Sequence, residues 1–235
     1  MTITASPASS ADALGVHPAR SLSMPARTAA AVTLVLSFAL HAASLLIMRV
    51  TGADLAHGGD IESWLTWVAD NPALADLSKT LDVLFVPFAV GSVVIYVLLG
   101  KARSPRLAWV GGVLYAGGLV LLASMEGFEA FAYMLATEQV LDPQSIADIY
   151  VAPSSPAYIA AQTLFLLGVT IGLVITVVSL WRSRAVPRAA AIGLLLFLVG
   201  ELTGLRVEGH LIGLASATWI AIVILRAPRA TRAAD

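Results

Sequence analysis

Six long apolar runs, joined by connections whose charge alternates in sign, constrain this chain more than any other feature. Runs of about 18 residues or more are long enough to cross a hydrocarbon layer of about 30 Å as helices. The basic residues gather in four places: Arg20 with Arg27, Lys101 with Arg103 and Arg106, Arg182 with Arg184 and Arg188, and Arg226 with Arg229 and Arg232. The connections between those places hold nearly all the acid. Short loops rich in Lys and Arg stay on the cytoplasmic side of a bilayer, so the four basic segments agree on one topology with both termini inside. The fold class expected is all-α: a polytopic membrane protein built as a six-helix transmembrane bundle.

Composition supports that class and removes others. Apolar residues make up 58% of the chain and charged residues 12%, whereas soluble domains average about 45–50% and about 25%. The absence of Cys excludes disulfides, thiolate metal sites and thiol nucleophiles. A bias towards Arg over Lys, with abundant Ala, suggests a high-GC bacterial genome and hence a bacterial cytoplasmic membrane. Residues 1–27 are rich in Ser, Ala and Pro without helical period, and read as a disordered cytoplasmic tail. The apolar run that follows is too long for a signal-peptide core and reads as a retained first span.

The expected membrane domain covers 28–226, with spans at 28–49, 80–100, 107–127, 157–180, 187–205 and 209–226, followed by a basic cytoplasmic tail at 227–235. The second span has an earlier start available after Asn71-Pro72, and the third continues beyond the membrane to about residue 136. Two amphipathic segments, 60–70 and 142–150, fall in the acidic connections. In the first, Asp60 can cap a helix whose Ile61, Trp64, Leu65 and Val68 recur at i, i+3, i+4, i+7, a stripe for the bilayer surface or for covering the bundle. Asp142-Pro143 starts the second, and Ser154, Ser155 and Pro156 open the fourth span. Residues 105–127 align without gaps to 187–209, matching at Pro, Arg, Ala, Gly, Leu, Gly, Glu and Gly. A parallel repeat of helical hairpins would follow, with Glu126 and Glu208 equivalent. Gly168/Gly172, Gly200/Gly204 and Gly209/Gly213 have the spacing that lets helix backbones approach.

The stretch LWRSRAVPRAAAIGLLLFLVG, an Arg-rich loop with Val-Pro-Arg leading into a Gly- and Leu-rich span, resembles a family of small bacterial six-helix membrane proteins of unknown function. WLTWVADNPALADLSKTLDVLF is similar to that family's short outer helix, Asn-Pro break and second span. The resemblance covers about two thirds of the chain. It implies a six-helix bundle and carries no catalytic residues.

Function must then be sought where ionisable residues enter the bilayer. Counting about 1.5 Å per residue from the basic ends, His41 and Glu201 lie roughly two thirds of the way out, while Asp82, Glu126, Glu129, Arg206, Glu208 and His210 sit near the outer boundary. The inner halves of the spans hold no charged residue. An ionised side chain at mid-bilayer costs about 2.5–3.5 kcal/mol on insertion scales, so Glu201 needs a partner. Arg206, five residues on, is out of register for one, which makes His41 the expected partner.

The bland reading of this layer is interhelical bonding that holds the bundle. The sharper one is a pocket for a small or lipid-like ligand lined by His41, Glu126, Glu129, Glu201, Arg206, Glu208 and His210. No HExxH or comparable spacing supports a metal site, two histidines alone do not support haem, and GxSxG, Walker and Rossmann signatures are absent. No cofactor, metal or nucleic-acid partner is therefore expected. Trp109 and Trp181, beside basic loops, read as interface anchors. The function expected is non-enzymatic: binding, sensing or transport of such a ligand. The alternative is a membrane-embedded enzyme using Glu126, Glu129 or Glu201 as acid or base.

Overall fold

A computed structural model describes residue 19 and residues 22–53, 61–151 and 156–227. Those residues form eight helices and no strand: α1 (Met24–Val50), α2 (Ile61–Asp70), α3 (Pro72–Gly100), α4 (Pro105–Thr137), α5 (Pro143–Val151), α6 (Pro156–Ser183), α7 (Arg188–Thr203) and α8 (Arg206–Arg226). Five of them, α1, α3, α4, α6 and α8, are long and apolar enough to cross a membrane. The protein is thus a helical, multi-pass membrane protein. At 16 residues, α7 reaches only about 24 Å. Residues 1–18, 20–21, 54–60, 152–155 and 228–235 lie outside the described residues, and with them Arg20, the expected Asp60 cap, Ser154, Ser155 and the basic tail after Ala227.

Proline sets most of the helix starts. It opens α3, α4, α5 and α6, where its missing N–H is no loss and its fixed φ suits the first turn. The helix α1 starts within the expected tail, at Met24, because the Ser23 side chain accepts from Ala26 N at 3.4 Å and Pro25 follows. The break between α7 and α8 falls at Gly204, whose φ of +80° is a left-handed cap that side chains with a Cβ resist.

At α5, Asp142 accepts from the Ser145 hydroxyl at 2.6 Å and from Ser145 N at 3.0 Å. The side-chain bond first, then the backbone bond, holds the Asp142 carboxyl below the usual carboxylate range. A lowered value stabilises the folded form above the unfolded pKa and stops doing so as pH falls through the folded one. Protection of the Ile146–Ile149 amides, relative to intrinsic exchange at the same pH, should therefore fall below about pH 4, and Asp142→Ala should remove that pH dependence.

The six long helices close a ring in the order α1, α3, α4, α6, α7, α8, back to α1. The pair α4–α6 packs most extensively and α6–α7 least. Leu34, Tyr96, Leu173, Leu180, Leu194 and Ile220 are among the residues fully buried in the common core, while Val94, Val113, Leu164 and Leu196 face outward. An apolar exterior around the bundle suits a lipid environment. At the end carrying the basic loops, Arg27 is 1% exposed and donates to Leu22 O at 3.1 Å and to Ala227 O, which ties the start of α1 to the end of α8. There too the Arg188 guanidinium stacks on Trp181.

A second core caps the acidic end. Trp64, Leu65 and Val68 of α2 are buried with Ala75, Ala132, Tyr133, Ala136, Ile146 and Ala147. Of the two roles open to the α2 stripe, the helix covers the bundle. With 29 and 33 residues, α3 and α4 run about 44 and 50 Å, and their surplus length carries this cap.

Candidate functional site

A cavity of about 280 Å³ lies inside the ring, beneath the cap, and all six helices contribute to its wall. Counting about 1.5 Å per residue from the basic ends, Tyr115 stands at about 15 Å, Glu201 at about 20, His210 and His41 at about 25, and Glu126 at about 32. The polar groups therefore rise as a ladder through the acidic half of the bundle. Among them stand the rings of Phe38, Phe85, Phe165 and Phe197 and the side chains of Leu119, Leu122 and Leu198.

Two histidines occupy the middle of the ladder. The His41 ring of α1 stacks on the His210 ring of α8, centroids 4.4 Å apart and planes at 46°. Phe85 flanks His41 at 4.8 Å, and Phe197 meets His210 edge-on at 4.9 Å. Each histidine has its own carboxylate. His41 Nδ1 lies 2.8 Å from Asp82 Oδ1 of α3, and His210 Nδ1 lies 2.9 Å from Glu201 Oε1 of α7. The approaches are short but off the line of a good hydrogen bond. His210 Nδ1 also lies 3.1 Å from the Arg206 carbonyl. A carbonyl only accepts, so that nitrogen carries a proton. The Nε2 atoms make no hydrogen bond among the described residues, and both residues line the cavity.

Above them Lys79 of α3, 5% exposed, donates to Glu126 and to Glu129 of α4, the latter at 2.7 Å, and lies 5.6 Å from the Tyr133 ring. Glu126 and Glu129 face the cavity, whereas Lys79 borders an open cleft with Asp76, Tyr133 and Glu138. This ion cluster stands between the cavity and that cleft.

Six of the seven residues singled out from the sequence thus converge on one cavity: His41, Glu126, Glu129, Glu201, Arg206 and His210. Arg206 is at the exposed rim. Glu208 lies outside, half exposed and paired with Arg49 at 2.6 Å, so the two glutamates aligned by the repeat have different surroundings. The expected partner of Glu201 is corrected. Glu201 pairs with His210, because α8 packs between α7 and α1, and His41 pairs with Asp82. Asp82 belonged to the expected outer layer but not to the expected pocket, and Lys79 to neither. Their i, i+3 spacing on a face that continues through Phe85, Ala89 and Ser92 is the signal that would have found them. Among the described residues no group of three or more His, Asp or Glu has an arrangement able to hold a metal ion. No family model, curated protein or solved structure matches the chain.

Proposed function

We propose that this chain is a six-span protein of a bacterial cytoplasmic membrane, termini inside, that binds a small or lipid-like ligand in its outer-half cavity. Sensing or transport would use that binding without covalent chemistry. The observation that supports this reading is the cavity itself. Its volume approaches the about 300 Å³ at which ligand pockets begin, and its wall combines phenyl rings with a few polar groups from separate helices. In this reading α7 is the sixth span despite its length, the acidic cap faces outward, and the two hairpin copies serve different environments. The resemblance to six-helix bacterial proteins fits the same topology. Enzymatic use of Glu126 or Glu129 has less support, since both carboxylates are bonded to Lys79.

Native mass spectrometry of protein released from mild detergent tests the proposal. A retained small molecule or lipid in the wild type, lost on Leu119→Trp, which fills the cavity, is the expected result. Retention unchanged by that filling would place binding elsewhere and sink the reading.

A further inference from the structure

Two properties of the cavity narrow what it can take. The first is charge. Glu126, Glu129 and Glu201 line the cavity and Asp82 stands behind His41, and Lys79 is the buried lysine that answers these four carboxylates. Arg206 adds a cation only at the exposed rim, and α6 contributes Thr170 but no titratable group to the lining. The stacked imidazoles of His41 and His210 can each accept a proton, yet two positive rings with centroids 4.4 Å apart repel one another. With one ring charged, the layer still holds more formal negative than positive charge. Formal negative charge in a low-dielectric wall is costly unless a cation answers it.

The same wall offers unused contacts for such a cation. Tyr115 is 5% exposed, lines the cavity, and its hydroxyl makes no hydrogen bond among the described residues. Phenyl faces around the histidines supply the quadrupoles that attract organic cations.

The second property is access. The seam between α6 and α7 is the least extensively packed in the ring. At that seam Leu166 and Leu202 line the cavity although they are 49% and 62% exposed on the bundle's outer face. A side chain that does both marks where the cavity approaches the lipid. Towards the acidic end the Lys79 cluster crosses the α3–α4 side, and the α7–α8 side carries the Arg206 rim.

From these observations we infer that the ligand is a membrane-partitioned organic cation, an ammonium head on an apolar body, which enters from the bilayer between α6 and α7. This rests on the ligand-binding reading above and specifies its ligand. The apolar body passes Leu166 and Leu202 and lies against Phe165 and Phe197, and the head moves to Glu201 and Tyr115.

Three probes with the same chain separate the claims: octyltrimethylammonium, octyl sulfate and octanol, added to the full-length protein in lipid nanodiscs and scored by retained mass and thermal stabilisation. The ammonium should bind at least tenfold better than the other two, and Glu201→Gln should erase that preference. Equal binding of all three would overturn the cation assignment while leaving a ligand cavity in place. Binding of none would overturn both. Because the chain has no native Cys, Leu166→Cys with Leu202→Cys can be bridged by a short bismaleimide. Bridging should slow ammonium uptake at least tenfold, and unchanged uptake in the bridged fraction would rule out the lateral route.

Discussion

Lys79→Met is expected to destabilise the bundle by about 2 kcal/mol or more, although an interhelical polar contact in a membrane protein averages only about 0.6 kcal/mol. The average is small because a broken contact usually finds a replacement. Glu126 has little such freedom, since its side chain is 12% exposed and its lysine is 5% exposed. Removing one member of a buried pair leaves an uncompensated charge and costs about 3–5 kcal/mol in soluble proteins. Here two carboxylates one turn apart on α4 lose their shared lysine, and Asp82 stands one turn from that lysine on α3. Neutralising them should undo the damage. Lys79→Met combined with Glu126→Gln and Glu129→Gln is expected to recover at least half of the loss, read from reversible unfolding in mixed micelles. A single variant within about 0.6 kcal/mol of wild type would show that the three residues do not act as one electrostatic unit.

That cluster also shows what could be read from the sequence and what could not. Helix starts were readable because proline states them locally: Pro72, Pro105, Pro143 and Pro156 each open a helix where the chain places them. The i, i+3, i+4, i+7 stripe of α2 likewise buries Trp64, Leu65 and Val68 as its spacing requires. Level along the helices was readable in part, since rise per residue is constant: six of seven chosen residues reach one cavity, although His210, expected nearer the outer boundary, stands level with His41. Azimuth was not. Whether Glu201 meets His41 or His210 depends on which helix stands next to α7, and no local feature of α7 reports that order. Lys79 was overlooked for a related reason. At the edge of an acidic connection it resembles a solvated charge, and only the return of α4 past the bilayer, under the α2 cap, buries it.

The α4–α6 seam sets the second large effect. Gly172 packs so closely on α4 that an added Cβ would meet Tyr115 N, lie 2.7 Å from Tyr115 Cα and 2.9 Å from Leu114 C. All three are backbone atoms, so no side-chain rotation relieves the clash. One turn on, Gly168 and Gly118 face each other in the same way, with a Cβ on Gly168 3.1 Å from Gly118 Cα. Small residues at such spacing supply the van der Waals contact that replaces a hydrophobic driving force within lipid. Gly172→Ala should therefore cost about 1–3 kcal/mol, in the range of overpacked cores, and Gly172→Val more. Helix propensity alone would favour alanine by about 1 kcal/mol, so the measured sign decides which effect wins. Gly117→Ala, on the open side of α4 with nothing within 4 Å of the new Cβ, isolates the propensity term and should be neutral or stabilising. Because Tyr115 both abuts Gly172 and lines the cavity, forcing α4 from α6 should also weaken ligand retention. Gly172→Ala that matches Gly117→Ala in stability and retention would mean that this seam yields to the added methyl, and that the geometry of the cavity does not depend on it.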